Sequence, residues 1–279
     1  MKTPDDFKNF LEYILTKRND IQSIILLGNL VDMWRRDTSG IFLEFSWMVN
    51  QLLNIRNSKR IEVYIVTGNH DYHLLKLHDS SYQFKFYPML PNFLSLSTAV
   101  TSKNTTIPLS KDNNNRYIFK HGWEFDSAQH PIIMDWMCHN MSSDNGHIES
   151  NIYNILQTLR GRLDVELRDL IDFHDQRGGY VKNLLLPPEE RLESFISDVE
   201  KKAYSTVNDD QVLVFGHTHR PFISSDHKLV NCGSWVKDAK INNTFVEIDG
   251  DDINIFKFKG TDSDPENLTR SLTWNFNTR

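Results

Sequence analysis

Two short stretches of this chain carry side chains able to do chemistry: Gly68-Asn69-His70-Asp71 and Gly216-His217-Thr218-His219. Each follows an apolar run, Val63-Tyr64-Ile65-Val66 in the first case and Val212-Leu213-Val214-Phe215 in the second. A strand that ends in a glycine turn bearing His and Asn presents those side chains at the carboxyl edge of a sheet. Asn69 offers a neutral amide oxygen. His70 offers an imidazole that can ligate a metal or give a proton to a leaving oxygen. Asp71 can orient that ring. His217 and His219 are one residue apart, and in an extended segment this spacing points both rings the same way. Paired imidazoles suit a metal; the same pair can also be two surface histidines in a turn before Pro221.

Two further strand ends carry polar groups. Gly28-Asn29-Leu30-Val31-Asp32 follows the apolar run Ile24–Leu27. Side-chain oxygens there can bind a metal or shape a turn in which Asn tolerates an unusual backbone angle. His121-Gly122 follows the strand-like run Arg116–Lys120. Arg35 and Arg36 lie just beyond Asp32, where a guanidinium can match a phosphate or simply face solvent. The other histidines, His130 and His139 among them, follow no common pattern.

The elements that must position these groups alternate between helix and strand. The chain opens on a helix: Thr3 can cap it, Pro4 fits its first position, and Asp5 and Asp6 suit its dipole. Phe7, Phe10, Leu11, Ile14 and Leu15 then recur at helical spacing. Ile24–Leu27 reads as a strand buried on both faces, Leu43–Ile55 as a helix and Glu62–Val66 as a strand. This alternation argues for α/β. Residues 93–100 and 116–120 read as further strands. From 126 to 205 the pattern turns helical, punctuated by Gly178-Gly179 and Pro187-Pro188. Strands return at 212–215, 228–232, 244–248 and 253–258, and the chain after Gly260 reads as loose.

Composition sets outer bounds. The 279 residues are 39% hydrophobic and 24% charged, ordinary for a globular protein. A net charge of −6 offers no basic field for nucleic acid. Two cysteines, Cys138 and Cys232, make no disulfide framework, so a reducing compartment is expected. No apolar stretch reaches the roughly 20 residues that span a bilayer, and the first residues have no signal-peptide pattern. A cytoplasmic location follows as the expectation.

In chain order the polar segments are Gly-Asn-x-x-Asp (28–32), Gly-Asn-His-Asp (68–71), His-Gly (121–122) and Gly-His-Thr-His (216–219). This series resembles the calcineurin-like metallophosphoesterases, whose motifs are Asp-x-His, Gly-Asp-x-x-Asp, Gly-Asn-His-Asp/Glu, His and Gly-His-x-His in that order. The resemblance covers about residues 1–260 and extends to Asn231-Cys232-Gly233-Ser234-Trp235. The helical insert and Gly216–Pro221 are similar to the UDP-diacylglucosamine pyrophosphatase branch. The resemblance implies a four-layer αββα sandwich of two mixed sheets with a helical cap inserted. Residues 1–125 and 206–260 would form the sandwich, 126–205 the cap and 261–279 a flexible tail.

The resemblance also implies a centre of two Mn-, Fe- or Zn-type ions. Asn69, His121 and His217 would hold one ion, His219 would serve the other, and Asn29 would stand at the bridging position. His70 would protonate the leaving oxygen, Asp71 would hold His70, Asp32 would support the site from behind, and Arg36 would meet the substrate. Two departures strike the metals. No Asp-x-His block precedes the opening helix, and position 29 is a neutral Asn where the family has Asp. One ion or none is therefore expected. The expected activity is hydrolysis of a phosphate ester or pyrophosphate in a small phosphorylated substrate, impaired by these departures. The alternative is a catalytically inactive binding module on the same fold, and a nuclease is a third reading that the negative charge opposes. The edge beside Ile24–Leu27 is expected to need a partner strand or to promote self-association.

Overall fold

The computed structural model describes residues 5–32, 38–71, 85–87, 117–125, 188–237 and 239–275. Helix α1 is Asp5–Lys17, with Asp5 and Asp6 in its first turn and Lys17 in its last, as the helix dipole favours. Its buried face is Phe7, Phe10, Leu11 and Ile14. Strand β1 (Ser23–Leu27), helix α2 (Thr38–Lys59) and strand β2 (Glu62–Val66) follow. β1 and β2 pair in parallel, Leu27 opposite Val66, and β3 (Lys85–Tyr87) adds a third parallel strand beyond β2. This is the expected strand–helix–strand unit. Among the described residues the protein is a mixed α/β structure with three α-helices and three sheets.

The second sheet has five strands in the order β11-β6-β7-β5-β4. Its members are β4 (Tyr117–Phe119), β5 (Val212–Phe215), β6 (Phe222–Ser224), β7 (Leu229–Asn231) and β11 (Thr273–Trp274). The third sheet is antiparallel, β10-β9-β8, built from β8 (Thr244–Asp249), β9 (Asp252–Lys257) and β10 (Glu266–Asn267). The third helix, α3, is Pro188–Ser205.

Period-two alternation divides the core. Val212 and Val214 face a cluster with Val66, Val230 and Ile255, which draws on all three sheets. Leu213 and Phe215 face the opposite way, onto Val199 and Ala203 of α3. A third cluster packs α1 and α2 against β1 and β2 around Leu11, Leu52 and Ile55. Within β1 itself, Ile24 packs on the helical cluster while Ile25 and Leu27 pack on the inter-sheet one.

Two sequence expectations meet the structure differently, and one strand is an addition. Helix α3, which falls inside the span 126–205 read as a cap, buries Val199 and Ala203 in the body of the protein; residues 126–187 lie outside the described residues. The segment after Gly260 is not loose through Trp274: β10 pairs with β9, and β11 pairs in parallel with β6. Its polar composition concealed one aromatic anchor, Trp274, whose ring stands at 89° to Phe222 with centroids 5.3 Å apart. Strand β6 is an addition, only three residues long after Pro221 and too short to show a periodicity. The expected strand 93–100 and the caps Thr3 and Pro4 also lie outside the described residues.

Trp274→Ala removes that edge contact and a guanidinium–ring contact from Arg220. The expected loss is about 2 kcal/mol of stability, measured by urea denaturation. A change below about 0.5 kcal/mol, the ordinary range of surface substitutions, would show that the last strand adds nothing to the fold.

Candidate active site

Four strands deliver their carboxyl ends to one place. After β1 the backbone turns through Gly28 (φ 72°) and Asn29 (φ 52°), a left-handed pair that Gly and Asn adopt most readily. After β2 comes Gly68-Asn69-His70-Asp71, after β4 His121-Gly122, and after β5 Gly216-His217-Thr218-His219. These loops touch. A Cβ on Gly28 would lie 2.6 Å from the Gly68 nitrogen and 2.6 Å from Cδ2 of His121. Only glycine lets the first, second and third strand ends approach so closely. A Cβ on Gly122 would lie 3.1 Å from the His217 Cβ, which brings the fourth loop against the third.

Asp71 fastens the first two loops. It is fully buried. One oxygen accepts the Gly68 N–H at 2.6 Å and the other accepts the Leu30 N–H at 2.7 Å. Burial pushes its pKa up to about 6 against the pull of these hydrogen bonds. The carboxylate therefore bonds backbone amides. The group on the His70 ring is Asp32, whose Oδ1 lies 2.9 Å from His70 Nδ1. Asn29 Oδ1 accepts the His70 N–H at 3.0 Å. The sequence reading assigned the holding of His70 to Asp71; the distances place Asp32 there instead.

The histidines converge. The His121 and His217 rings are 5.1 Å apart and inclined at 69°. Burial, then the neighbouring His217, His70 and His219, drive the His121 pKa well below the usual imidazole value. His219 is lowered by desolvation and by His217 and His70. Both rings are neutral at neutral pH, the state in which an imidazole can ligate a cation. Asn69 is buried, and its side-chain oxygen and His121 Nδ1 are both shut off from solvent. Asn29, Asp32, His121, His217 and His219 line one cavity of about 670 Å³; Asn69 and His70 are not in its lining. Arg36 lies outside the described residues.

The donors suit a cation only in part. Among the described residues no three His, Cys, Asp or Glu side chains form a group that could hold a metal ion. The amide oxygens of Asn29 and Asn69 are the other oxygens offered at these strand ends. Asp71 and Asp32 are committed to backbone amides and to His70. Among the described residues the donors at the strand ends are imidazole and amide, with Asp32 the carboxylate beside them in the cavity lining, a set of the kind that suits a borderline divalent ion.

A buried network behind the last loop escaped the sequence reading. Glu200 of α3 has no exposed surface. It accepts from Thr218 Oγ1 at 3.1 Å and from Arg220 Nε at 3.1 Å, and it also pairs with Arg220 Nη2. Asn231 donates to Gly216 O at 3.1 Å and to Thr218 Oγ1 at 2.7 Å. The loop can thus hold His217 (φ 65°) and His219 (φ 57°) in left-handed geometry. Asn231-Cys232-Gly233 had stood out in the sequence. Glu200 sat in a charged amphipathic helix and gave no signal.

The chain belongs to the calcineurin-like phosphoesterase family, which matches residues 2–221. No curated protein matches it. The family generally carries out metal-dependent hydrolysis of phosphoester bonds. None of the chain's described helices is long and apolar enough to cross a membrane.

Asp71→Ala leaves the Gly68 and Leu30 amides without their shared acceptor. The expected loss is about 3 kcal/mol of stability, from two buried hydrogen bonds to a charged group. Thermal and urea unfolding measure it. A loss under 1 kcal/mol would mean that the loops are fastened by something else.

Proposed function

We propose that this chain hydrolyses a phosphate ester or pyrophosphate bond in a small phosphorylated substrate at the cleft where the four strand ends meet, with its metal centre reduced to a single weak ion. One observation carries this reading: His70 from the first sheet and His217 from the second both lie near enough to lower the pKa of His121 and His219, and the His121 and His217 rings are 5.1 Å apart.

In this reading His70 is the acid. Asp32 on Nδ1 orients the ring, and the acid form is the one that carries a proton on Nε2 as well. The proton passes from that nitrogen to the leaving oxygen. Asn29 Oδ1 holds the His70 backbone by accepting its N–H. Asn69, His121 and His217 would hold one divalent ion, with His219 beside them in the cavity lining. A bound ion there would supply Lewis-acid polarisation of a phosphoryl oxygen and acidify a bound water. No second ion is assigned, because among the described residues Asp71 and Asp32 are engaged with backbone amides and with His70. The low cysteine content suits a reducing, cytoplasmic setting.

A second reading has its own support: an inactive module that binds phosphorylated ligands. The neutral donor set and the use of Asn29 Oδ1 on the His70 amide favour it. Manganese separates the two. With manganese, the hydrolase reading expects turnover of a generic aryl phosphate ester, lost in His121→Ala and reduced about 10²–10⁴-fold in His70→Asn. Asn29→Asp should tighten manganese roughly tenfold, about 1.4 kcal/mol, measured by calorimetry. Phosphate binding without turnover in both the native chain and Asn29→Asp would decide for the binding module.

A further inference from the structure

The loop after β5 sorts its side chains onto two sides. His217 and His219 line the cavity, whereas Thr218 and Arg220, which alternate with them, do not. Both of these reach one acceptor behind the loop. Thr218 Oγ1 donates to Glu200 at 3.1 Å, Arg220 Nε donates to it at 3.1 Å, and Arg220 Nη2 pairs with its second oxygen. One carboxylate thus grips two alternate residues, and the two histidines are left to face the cleft. The hydroxyl of Thr218 also accepts from Asn231 Nδ2 at 2.7 Å, so it is engaged from two directions.

The packing of α3 alone does not call for a carboxylate there. Glu200 sits on the buried face of α3 beside Val199 and Ala203, with no exposed surface. A charge in that place gives up its hydration, and an ion pair so buried is often no more stabilising than apolar side chains of similar volume. What the charge adds is direction: it takes a planar guanidinium fork in one set geometry. The loop needs such a constraint. His217 (φ 65°) and His219 (φ 57°) are both left-handed, a conformation that persists in a non-glycine residue only where the surroundings over-determine it. The guanidinium in turn rests on a wall, with its centre 4.6 Å from the Trp274 ring. That wall is tied to two sheets. Ile255 of β9 gives its N–H to Thr269 Oγ1 at 3.0 Å and accepts the Leu268 N–H at 2.8 Å, while the Trp274 carbonyl accepts the Ser225 N–H at 2.7 Å.

We propose that Glu200 and Arg220 are positioning residues of the site: the carboxylate, with the guanidinium clamped between it and Trp274, aims the His217 and His219 rings into the cleft and sets their grip on a divalent cation. Neither residue touches the cation or the substrate. Both act through Thr218 and the backbone of the loop. The effect on the cation rests on the metal reading above; the aiming of the rings does not.

Two variants of the intact chain separate positioning from stability. Glu200→Gln keeps the shape and loses the charge. Glu200→Leu combined with Arg220→Met replaces the ion pair by apolar side chains, a change that buried ion pairs often tolerate with no loss of stability. Urea unfolding checks that each folds. Ring 1H–15N spectra of the metal-free protein at one pH, with His217 and His219 assigned by their Gln variants, report the aim of the rings. Calorimetry with manganese alone reports their grip. Both variants should fold cooperatively. In both, the His217 and His219 signals should move or broaden, while that of His227, in the turn between β6 and β7, stays in place. Manganese affinity should fall about 10- to 100-fold, the usual cost of losing a group that orients a ligand. Trp274→Ala should show the same changes and Trp274→Phe, which keeps a ring face, should reverse most of them. Folded variants with native ring signals and native manganese affinity overturn the proposal, and the ion pair is then structural. Failure of Glu200→Gln to fold also overturns it, because the carboxylate would then be a requirement of folding. Manganese binding without turnover in the native chain removes the hydrolase reading and leaves positioning intact. If the native chain binds no manganese, the cation falls away with the metal reading, and unchanged ring signals in Glu200→Gln then suffice to overturn the rest.

Discussion

A single buried carboxylate sets the geometry of the whole cleft. Asp71 has no exposed surface, and its two oxygens take amides from two different loops, Gly68 after β2 and Leu30 after β1. Parallel pairing of β1 with β2 brings those loops to the same level, Leu27 opposite Val66. The carboxylate then draws them together until only glycine fits at position 28. Every functional side chain of the first two loops takes its place from that contact. Asn29 reaches the His70 amide, and Asp32 reaches the His70 ring. Burial opposes the charge on Asp71 and the amides favour it. The group that organises the site is thus held in an electrostatic balance and never faces the cavity.

The crowd of imidazoles imposes a choice on any ligand. His121 and His219 are held neutral by desolvation and by the neighbouring His217 and His70. A cation needs them neutral and is helped by that shift. A phosphate without a cation favours their protonated forms, because each positive ring offsets its charge. The two ligand types therefore pull the same rings in opposite directions. A cation that binds first removes the conflict, since its charge then serves the phosphate while the rings stay neutral. Under the proposed function, Asn29 weakens that order of events. A carboxylate at this position would offset the ion's charge; the amide only contributes one oxygen, which is already shared with the His70 N–H.

The elements were legible where periodicity and punctuation agreed. β1, α2, β2, β4, β5 and β7 to β9 follow from apolar runs bounded by glycine, asparagine or charge, and the functional loops follow from glycine beside His or Asn at each strand end. Pairing between carboxylates and their partners was not legible. Asp71 adjoins His70 in sequence, yet a residue directly after another in a tight turn points elsewhere, and Asp32 approaches from a different strand. Glu200 lay in a helix whose charged residues all look solvated until α3 is packed onto Phe215. The last strand was hidden by its length: two residues, Thr273 and Trp274, show no alternation, and a polar neighbourhood masks the ring that anchors them.

That last strand reaches the site indirectly, from outside the family match at residues 2–221. Trp274 lies against the Arg220 guanidinium, 4.6 Å from its centre. Arg220 is bound to Glu200 through two nitrogens, and Glu200 also takes the Thr218 hydroxyl between the two histidines. A guanidinium between a buried carboxylate and a ring face has both its charge and its flat surface satisfied, which lysine could not match. His217 and His219 both sit at positive φ, a conformation that persists only where surroundings over-determine it. Here Asn231 fixes the loop from β7, Glu200 fixes it from α3, and Trp274 closes the far side of the arginine. The strain of two left-handed histidines is thus supported by three separate elements, one of them the end of the chain. Loosening any of them should be felt first at the histidine rings rather than in the sheet, because β5 is held on both sides by β4 and β7.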